Sequence, residues 1–430
     1  MSGAYKYGGS NKWNSFKKFL FRFFFIYFFL YCFPFPFDGF DFLAPVAKPY
    51  YNLLDWLIQG AAVKLFHLHA QVAFPTFDKV DDSFYGLVFM YLNFIVSLLV
   101  ALAWSFLDRN RMNYEKLNQW LILYLRFFLA AYLFGYGFIK VFPSQFQAIT
   151  ASRLTMRVGD QSPMLLAWNF MGYSTTMMKV NGWAEVIAGL LLLFRRTTTL
   201  GAILSTGIFS FVVMMDFSFN VFVRLLSCHL LIISLYLVLC DGKRLLNVFI
   251  LNRPASAVVY APLISNTRWR KIFNGALIVL SVCLLYSAVT KGIEAERSFG
   301  QSAPEVPLYG IYNTVYFIRN NDTIPPSVTD SLGWKQLVVD GGSWNQRCRI
   351  EFNNDKRSNC YIETDTTKFT LSIQPGTDST EKYLFHYVIP DTSHLFLKGR
   401  WQGDSIEVLM SKYDLNNYLL HKERFKWIAD

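Results

Sequence analysis

Long apolar stretches recur along the first 292 residues of this chain, and they constrain its fold more than any other feature. Each has about 20 residues, enough for a helix to cross the ~30 Å hydrocarbon core of a bilayer. Backbone groups in lipid must be hydrogen-bonded within the protein, so such stretches fold as helices. Only 17% of the chain is charged, against about 25% in soluble domains. We predict about seven spans, at 17–34, 83–106, 118–141, 173–194, 198–221, 225–241 and 272–292.

Basic residues cluster in the short segments between alternate spans. The formal net charge is +11, but lysines and arginines beside apolar spans set membrane orientation. The expected partner is therefore the lipid bilayer and not nucleic acid. The positive-inside rule predicts a cytoplasmic N-terminus and a C-terminal domain on the outside, in a periplasm or an equivalent compartment. The run Phe19–Phe35 lacks a small-residue cleavage site, so we expect a retained span and not a signal peptide.

Five regions follow from this pattern. A cytoplasmic arm with the first span covers 1–35, and 36–82 is an outside segment in which we predict an interfacial helix. The helical bundle covers 83–250, and 251–292 holds a cytoplasmic loop and the last span. Within the bundle, 164–172 is too short to span, so we expect it to re-enter the bilayer from outside. The periplasmic domain covers 293–430.

The last region is predicted to be all-β, a small barrel or a sandwich. Turn signals such as Pro375-Gly376 and Pro390-Asp391 separate short strand-like segments. Cys348 and Cys360 flank a polar loop between two such segments, and in an oxidising compartment we expect a hairpin disulfide. A redox-active pair is the alternative. The predicted strands are 309–318, 337–339, 347–352, 368–373, 383–389, 394–398, 405–411 and 418–421.

Two ionisable residues lie deep in predicted spans, where a charge costs roughly 3 kcal/mol or more. Arg126 is in the third span and Glu185 is in the fourth. Counted from the span ends, both are about 13–15 Å below the cytoplasmic surface, so the two side chains can pair. The pair either fixes helix packing or forms a catalytic site, with Arg126 as electrostatic anchor and Glu185 as proton donor or acceptor.

A second polar set lies toward the outer ends of the spans and is the predicted ligand-binding group. Its lysines and carboxylate come from three spans and predict a cavity open to the outside, although snorkelling residues give the same pattern. His67 and His69 lack an evident third ligand, so we predict no metal site. The predicted ligand-binding residues are Lys140, Gln145, Lys179, Asp216, Arg224 and His229.

The middle of the chain resembles the DoxX-like integral membrane proteins, in the long Bacteroidetes form with an added C-terminal outside domain. The residues that carry the resemblance are Asp108-Arg109-Asn110-Arg111 with Tyr114, Tyr136-Gly137, Lys140-Val141, Gln145-Phe146, Gly159 to Met164, Trp168, Phe170-Met171-Gly172, Gly182, Glu185 and Leu190–Gly201. Three features depart from that form: the 72–82 stretch, Met177-Met178-Lys179-Val180, which replaces a more aromatic stretch, and Lys426, which stands where a histidine is usual.

The resemblance implies a helical bundle in the inner membrane, associated with quinone-linked or thiol-linked redox systems. We therefore expect a redox-associated protein whose bundle binds a quinone-like lipid or small molecule, with quinone as the implied cofactor. The alternative is a non-enzymatic membrane scaffold or maturation factor whose periplasmic β domain binds a protein partner. A transporter is disfavoured because the chain shows no inverted repeat.

Overall fold

A computed structural model describes residues 12–40, 43–66, 82–255, 262–342, 345–376 and 381–422. The chain divides into two compact units. The first, called the bundle unit, comprises 1–138 and 181–291, and the second, called the barrel unit, comprises 139–180 and 292–430. His67, His69, most of the 72–82 stretch and Lys426 lie outside the described residues, so the predictions that involve them stay predictions.

Long apolar helices dominate the bundle unit. Six helices in the described ranges are long and apolar enough to cross a membrane, and a pair bent by 69°, Arg224–Cys240 with Gly242–Ile250, is a seventh candidate. The predicted helical bundle is therefore confirmed. The helices are α1 Ser15–Cys32, α2 Ala44–Phe66, α3 Phe84–Leu107, α4 Glu115–Val141, α5 Ala151–Leu154, α6 Pro163–Tyr173, α7 Thr175–Leu193, α8 Thr198–Ser218, α9 Arg224–Cys240, α10 Gly242–Leu245 and α11 Thr267–Phe299.

A buried cation fixes the first helix within the bundle. The Arg22 guanidinium donates to the Tyr114 hydroxyl at 2.9 Å, to Ser105 Oγ at 2.8 Å and to the carbonyl of Asp108 at 2.8 Å. The Phe21 ring stacks on Tyr114 at 5.2 Å. Because every Arg22 nitrogen has a partner, this intramembrane charge stabilises packing.

A closed antiparallel β-barrel forms most of the barrel unit. β1 pairs with β3, and β3 to β9 pair in chain order, while the two-residue β2 pairs with β1 at the edge. β1 also pairs with β9, which closes an eight-stranded barrel. Side chains that point inward alternate with outward ones, as the strand period requires. The strands are β1 Gly310–Arg319, β2 Asp322–Thr323, β3 Trp334–Gly342, β4 Asn345–Phe352, β5 Arg357–Asp365, β6 Thr370–Pro375, β7 Tyr383–Asp391, β8 His394–Trp401 and β9 Asp404–Tyr413.

Because the sheet closes on itself, the domain is a barrel and not a sandwich, the other predicted architecture. Two strand predictions need correction. The segment 418–421 is not a strand, since Leu419–His421 forms a 3-10 helix. Arg357–Asp365 is a full strand, although its first residues are polar and were assigned to a loop. Those polar residues do not argue against a strand, because one face of an antiparallel strand can face water.

The segment between α4 and α7 belongs to the barrel unit and packs on the outer surface of the barrel. Ala151 is fully buried against Ile311 of β1 and Val338 of β3. Its backbone N–H donates to the Tyr309 hydroxyl at 3.1 Å. Two distant parts of the sequence therefore form one folded body.

Candidate functional site

Arg126 belongs to α4, and its side chain contacts the C-terminal end of α7 in the bundle unit. Its Nε donates to the carbonyl of Leu192 at 2.7 Å, and its Nη2 donates to the carbonyl of Leu193 at 2.8 Å. The last carbonyls of a helix lack intrahelical partners and carry the negative end of the helix dipole. The buried guanidinium therefore caps α7 from the neighbouring helix.

Glu185 lies on α7, and its position along the packed helices α4 and α7 differs from that of Arg126. A Cβ on Gly137 would lie 3.0 Å from the Gly182 carbonyl oxygen and 2.8 Å from Val186 Cγ2. The backbone around Glu185 is thus level with Gly137, eleven residues or about 16 Å along α4 from Arg126. The two residues therefore do not lie at equal depth, because the close packing of glycines sets the helix register and the span ends do not. Pairing of the two side chains stays a prediction.

His229 lies in the best-defined polar cluster of the bundle. The side chain is 2% exposed. Its ring stacks on Tyr31 at a centroid distance of 4.1 Å and lies parallel to Tyr27 at 5.9 Å. Nδ1 lies 2.6 Å from the carbonyl of Leu225, and Nε2 lies 2.7 Å from the Tyr27 hydroxyl.

These contacts define the proton positions in the cluster. A carbonyl oxygen only accepts, so His229 Nδ1 carries a hydrogen and donates to Leu225. In the neutral imidazole Nε2 is then an acceptor, and Tyr27 donates its hydroxyl hydrogen to it. The lone pairs of the Tyr27 oxygen stay available to a further donor. We call Tyr27, Tyr31 and His229 the tyrosine–histidine cluster.

The predicted residues Arg224 and Asp216 lie at the hairpin between α8 and α9. Arg224 Nε pairs with Asp82 at 2.6 Å. The same carboxylate accepts from the backbone N–H of Leu225 at 2.9 Å, so it also caps the start of α9. Asp216 is buried nearby, and its Oδ2 has no hydrogen-bond partner within the described residues. The Arg224–Asp82 pair fixes the start of α9, one turn before His229.

The remaining predicted residues belong to the barrel unit, so the predicted cluster of three spans divides between two units. Lys140 is buried and Lys179 is exposed. Gln145 is partly buried, and its Oε1 has no partner in the described part of the chain.

A polar network fixes the loop before α6 to the barrel. The buried Asp340 carboxylate accepts from Thr150 Oγ1 at 2.6 Å, from the Ser152 backbone N–H at 3.1 Å and from the Ser152 hydroxyl. Arg349 on the neighbouring strand donates to the Ser152 carbonyl at 3.1 Å and to the Thr155 hydroxyl. Burial and then the nearby Arg357 lower the pKa of Arg349. We call this group the loop-docking network.

Cys348 and Cys360 face each other on adjacent strands. They are paired positions of β4 and β5 inside the barrel core, and both are free thiols. A hydrogen bond from Cys348 lowers the pKa of Cys360, and the same bond, together with burial, raises the pKa of Cys348. The structure thus places the two sulfurs together without joining them.

Several residues of these networks are not among the residues that the sequence analysis predicts to be functional. Arg22 interrupts an apolar run in the way that drew attention to Arg126, so it was detectable. Tyr27 and Tyr31 lie in a span rich in aromatic residues, where no single ring is distinguished. Asp340 follows the apolar pair Val338-Val339 in a predicted strand, and an acidic residue there is an indication of a buried hydrogen-bond acceptor.

The fold and its networks define a class, namely a multi-helix membrane bundle with a C-terminal β-barrel. Over 124 residues, 29% of this chain, the sequence is 32% identical to the uncharacterized protein YwoB of Bacillus subtilis (strain 168), and the match covers 79% of YwoB. The chain belongs to the same family as YwoB. Neither a family model nor a solved structure matches it.

Proposed function

We propose that this is a redox-associated membrane protein of DoxX-like type whose bundle binds the head group of a quinone-like lipid at the tyrosine–histidine cluster. The observation that carries the proposal is the 2.7 Å contact between the Tyr27 hydroxyl and Nε2 of the buried His229. A buried, stacked imidazole with one fixed donor and one engaged acceptor is a group that can take up a proton.

The chemistry that these side chains offer is proton transfer at a lipid head group. The Tyr27 oxygen would accept a hydrogen bond from a hydroxyl of the reduced, quinol form of the lipid, and the Tyr27 hydrogen can move to His229 Nε2. His229 then becomes an imidazolium that still donates Nδ1–H to Leu225, so no ring rotation is needed. A bound quinone would supply the electron chemistry, and the chain's residues hold the proton.

Glu185 remains a second proposed proton group, since its carboxylate is buried within α7. Arg126 is less suited to anchor a head group, because its guanidinium already donates to two carbonyls. Our proposal therefore moves the centre of the lipid site from Arg126 and Glu185 to the tyrosine–histidine cluster.

Equilibrium binding of a short-tailed benzoquinol, kept reduced so that its hydroxyl can donate to the Tyr27 oxygen, to the detergent-solubilised full chain tests the proposal. We expect Tyr27→Phe and His229→Asn each to weaken binding about tenfold, as loss of roughly one neutral hydrogen bond implies. Tyr236→Phe is the matched control, because that half-buried hydroxyl donates to Asn118 at 2.7 Å. Equal affinities for all four proteins would contradict the proposal.

The alternative function is a non-enzymatic scaffold. It predicts that deletion of 300–430 abolishes function and that Glu185→Gln has no effect.

We further propose that the barrel lies in the periplasm of an inner-membrane protein and that Cys348 and Cys360 form a disulfide there. Directly opposed strand positions bring two Cβ atoms within about 5.5 Å, close to the separation that a disulfide needs. A bridge across this short loop would stabilise the barrel by about 2–3 kcal/mol.

Alkylation of the unfolded chain, isolated without reductant, tests the disulfide. Of six cysteines, we expect the pair at 348 and 360 to resist labelling until a reductant is added. Cys283 is the internal control and should react in both conditions. Full labelling of Cys348 and Cys360 before reduction would show that they remain thiols in the cell.

A further inference from the structure

One outer wall of the barrel carries a row of apolar side chains in register across four strands. Val388 of β7 pairs with Phe396 of β8, Phe396 pairs with Leu409 of β9, and Leu409 pairs with Tyr316 of β1. Val388 is 55% exposed and Tyr316 is 37% exposed. We call these four residues the apolar row. Apolar side chains aligned on a solvent-facing sheet indicate an interaction surface.

A cationic groove adjoins the apolar row. His386 and Lys398 pair across β7 and β8, two positions from Val388 and Phe396 along each strand. The groove has a volume of about 720 Å³ and is also lined by Lys382 and Arg400. Lys382 and Lys398 have carboxylate partners at 3.1 Å and 2.6 Å. The exposed side chains of His386 and Arg400 have no hydrogen bond or ion pair within the described ranges.

From this juxtaposition we propose that the wall of β7, β8 and β9 docks on the surface of an anionic phospholipid bilayer. The apolar row would enter the head-group layer, and Arg400 with its neighbouring cations would contact phosphates. Cations beside aliphatic and aromatic side chains are the combination that an anionic membrane surface binds.

Chain connectivity favours lipid as the occupant. Residues 300–309 join α11 to β1, and ten residues span at most about 35 Å. The barrel is therefore tethered to a chain that already has six candidate spans. A second copy fits less well, because a two-fold contact through this wall would bring Arg400 and His386 near their own symmetry mates.

Hydroxyl-radical footprinting of the full chain in lipid nanodiscs tests the proposal. On discs that contain phosphatidylglycerol, we expect oxidation of Val388 and Phe396 to fall about fivefold relative to discs of phosphatidylcholine alone. High salt should restore the reactivity, because it screens the cations from the phosphates. Val328, which is 81% exposed in a loop of the same barrel, is the control and should react equally on both discs.

Two variants make the result specific to this wall. Arg400→Gln should remove most of the protection, while Lys356→Gln, at an exposed cation in the turn between β4 and β5, should leave it intact. Equal oxidation of Val388 on both kinds of disc would overturn the proposal. Protection that depends on the number of chains per disc and not on lipid charge would also overturn it and identify a second copy as the occupant.

Discussion

Asp340→Ala is expected to lower the melting midpoint of the barrel unit by roughly 6–12 °C. The carboxylate is buried and accepts from the Thr150 hydroxyl and from the backbone and hydroxyl of Ser152. Its removal leaves these donors without an acceptor in a closed interface, at a cost of about 3 kcal/mol. Scanning fluorimetry of the solubilised chain measures the midpoint, and limited proteolysis should show faster cleavage within 150–160.

A second carboxylate of the same barrel provides the control. Asp365 accepts from Thr367 and Lys368 within one exposed turn, so Asp365→Ala should change the midpoint little. Asp340→Asn keeps an acceptor without its charge and should fall between alanine and the native residue. Equal midpoints for Asp340→Ala and Asp365→Ala would mean that the loop-docking network does not stabilise this unit.

Arg126→Leu is expected to destabilise the helical bundle by about 3 kcal/mol. The substitution removes two hydrogen bonds to the Leu192 and Leu193 carbonyls in the last turn of α7, and it also removes a cation from the negative end of that helix. Unfolding of the purified chain in mixed detergent micelles of increasing denaturing detergent measures the loss.

Two further substitutions separate a specific cap from a general need for charge. Arg126→Lys keeps the charge but cannot present two donors in one plane, so it should lose part of the stability. Arg109→Leu changes an exposed arginine in the loop after α3 and should be nearly neutral. If Arg126→Leu were as stable as Arg109→Leu, Arg126 would not act as the cap of α7.

The membrane helices could be predicted closely because length and hydropathy determine them. The span predicted at 83–106 is α3, Phe84–Leu107, and the span at 198–221 is α8, Thr198–Ser218. The last span was predicted at 272–292, whereas α11 covers Thr267–Phe299. Hydropathy detects only the part of a helix that lies in lipid, and α11 continues through charged residues such as Lys291 and Glu294.

The polar networks were harder to predict because helix register decides them. Depths counted from span ends suggested that Arg126 meets Glu185, whereas packing at Gly137 sets the actual register of α4 and α7. His229 was identified as a single polar residue in a span, but its partner Tyr27 lies 202 positions away in sequence. No local pattern indicates which aromatic residue of the first span faces it.

Mass spectrometry of lipids that co-purify with the protein in mild detergent tests the central claim most directly. Wild type, His229→Asn and the control Tyr236→Phe are compared after identical preparation. The account predicts a quinone-like lipid enriched on wild type and on Tyr236→Phe, and lost from His229→Asn. A quinone retained equally by His229→Asn, or no enriched lipid on any of the three proteins, would contradict it.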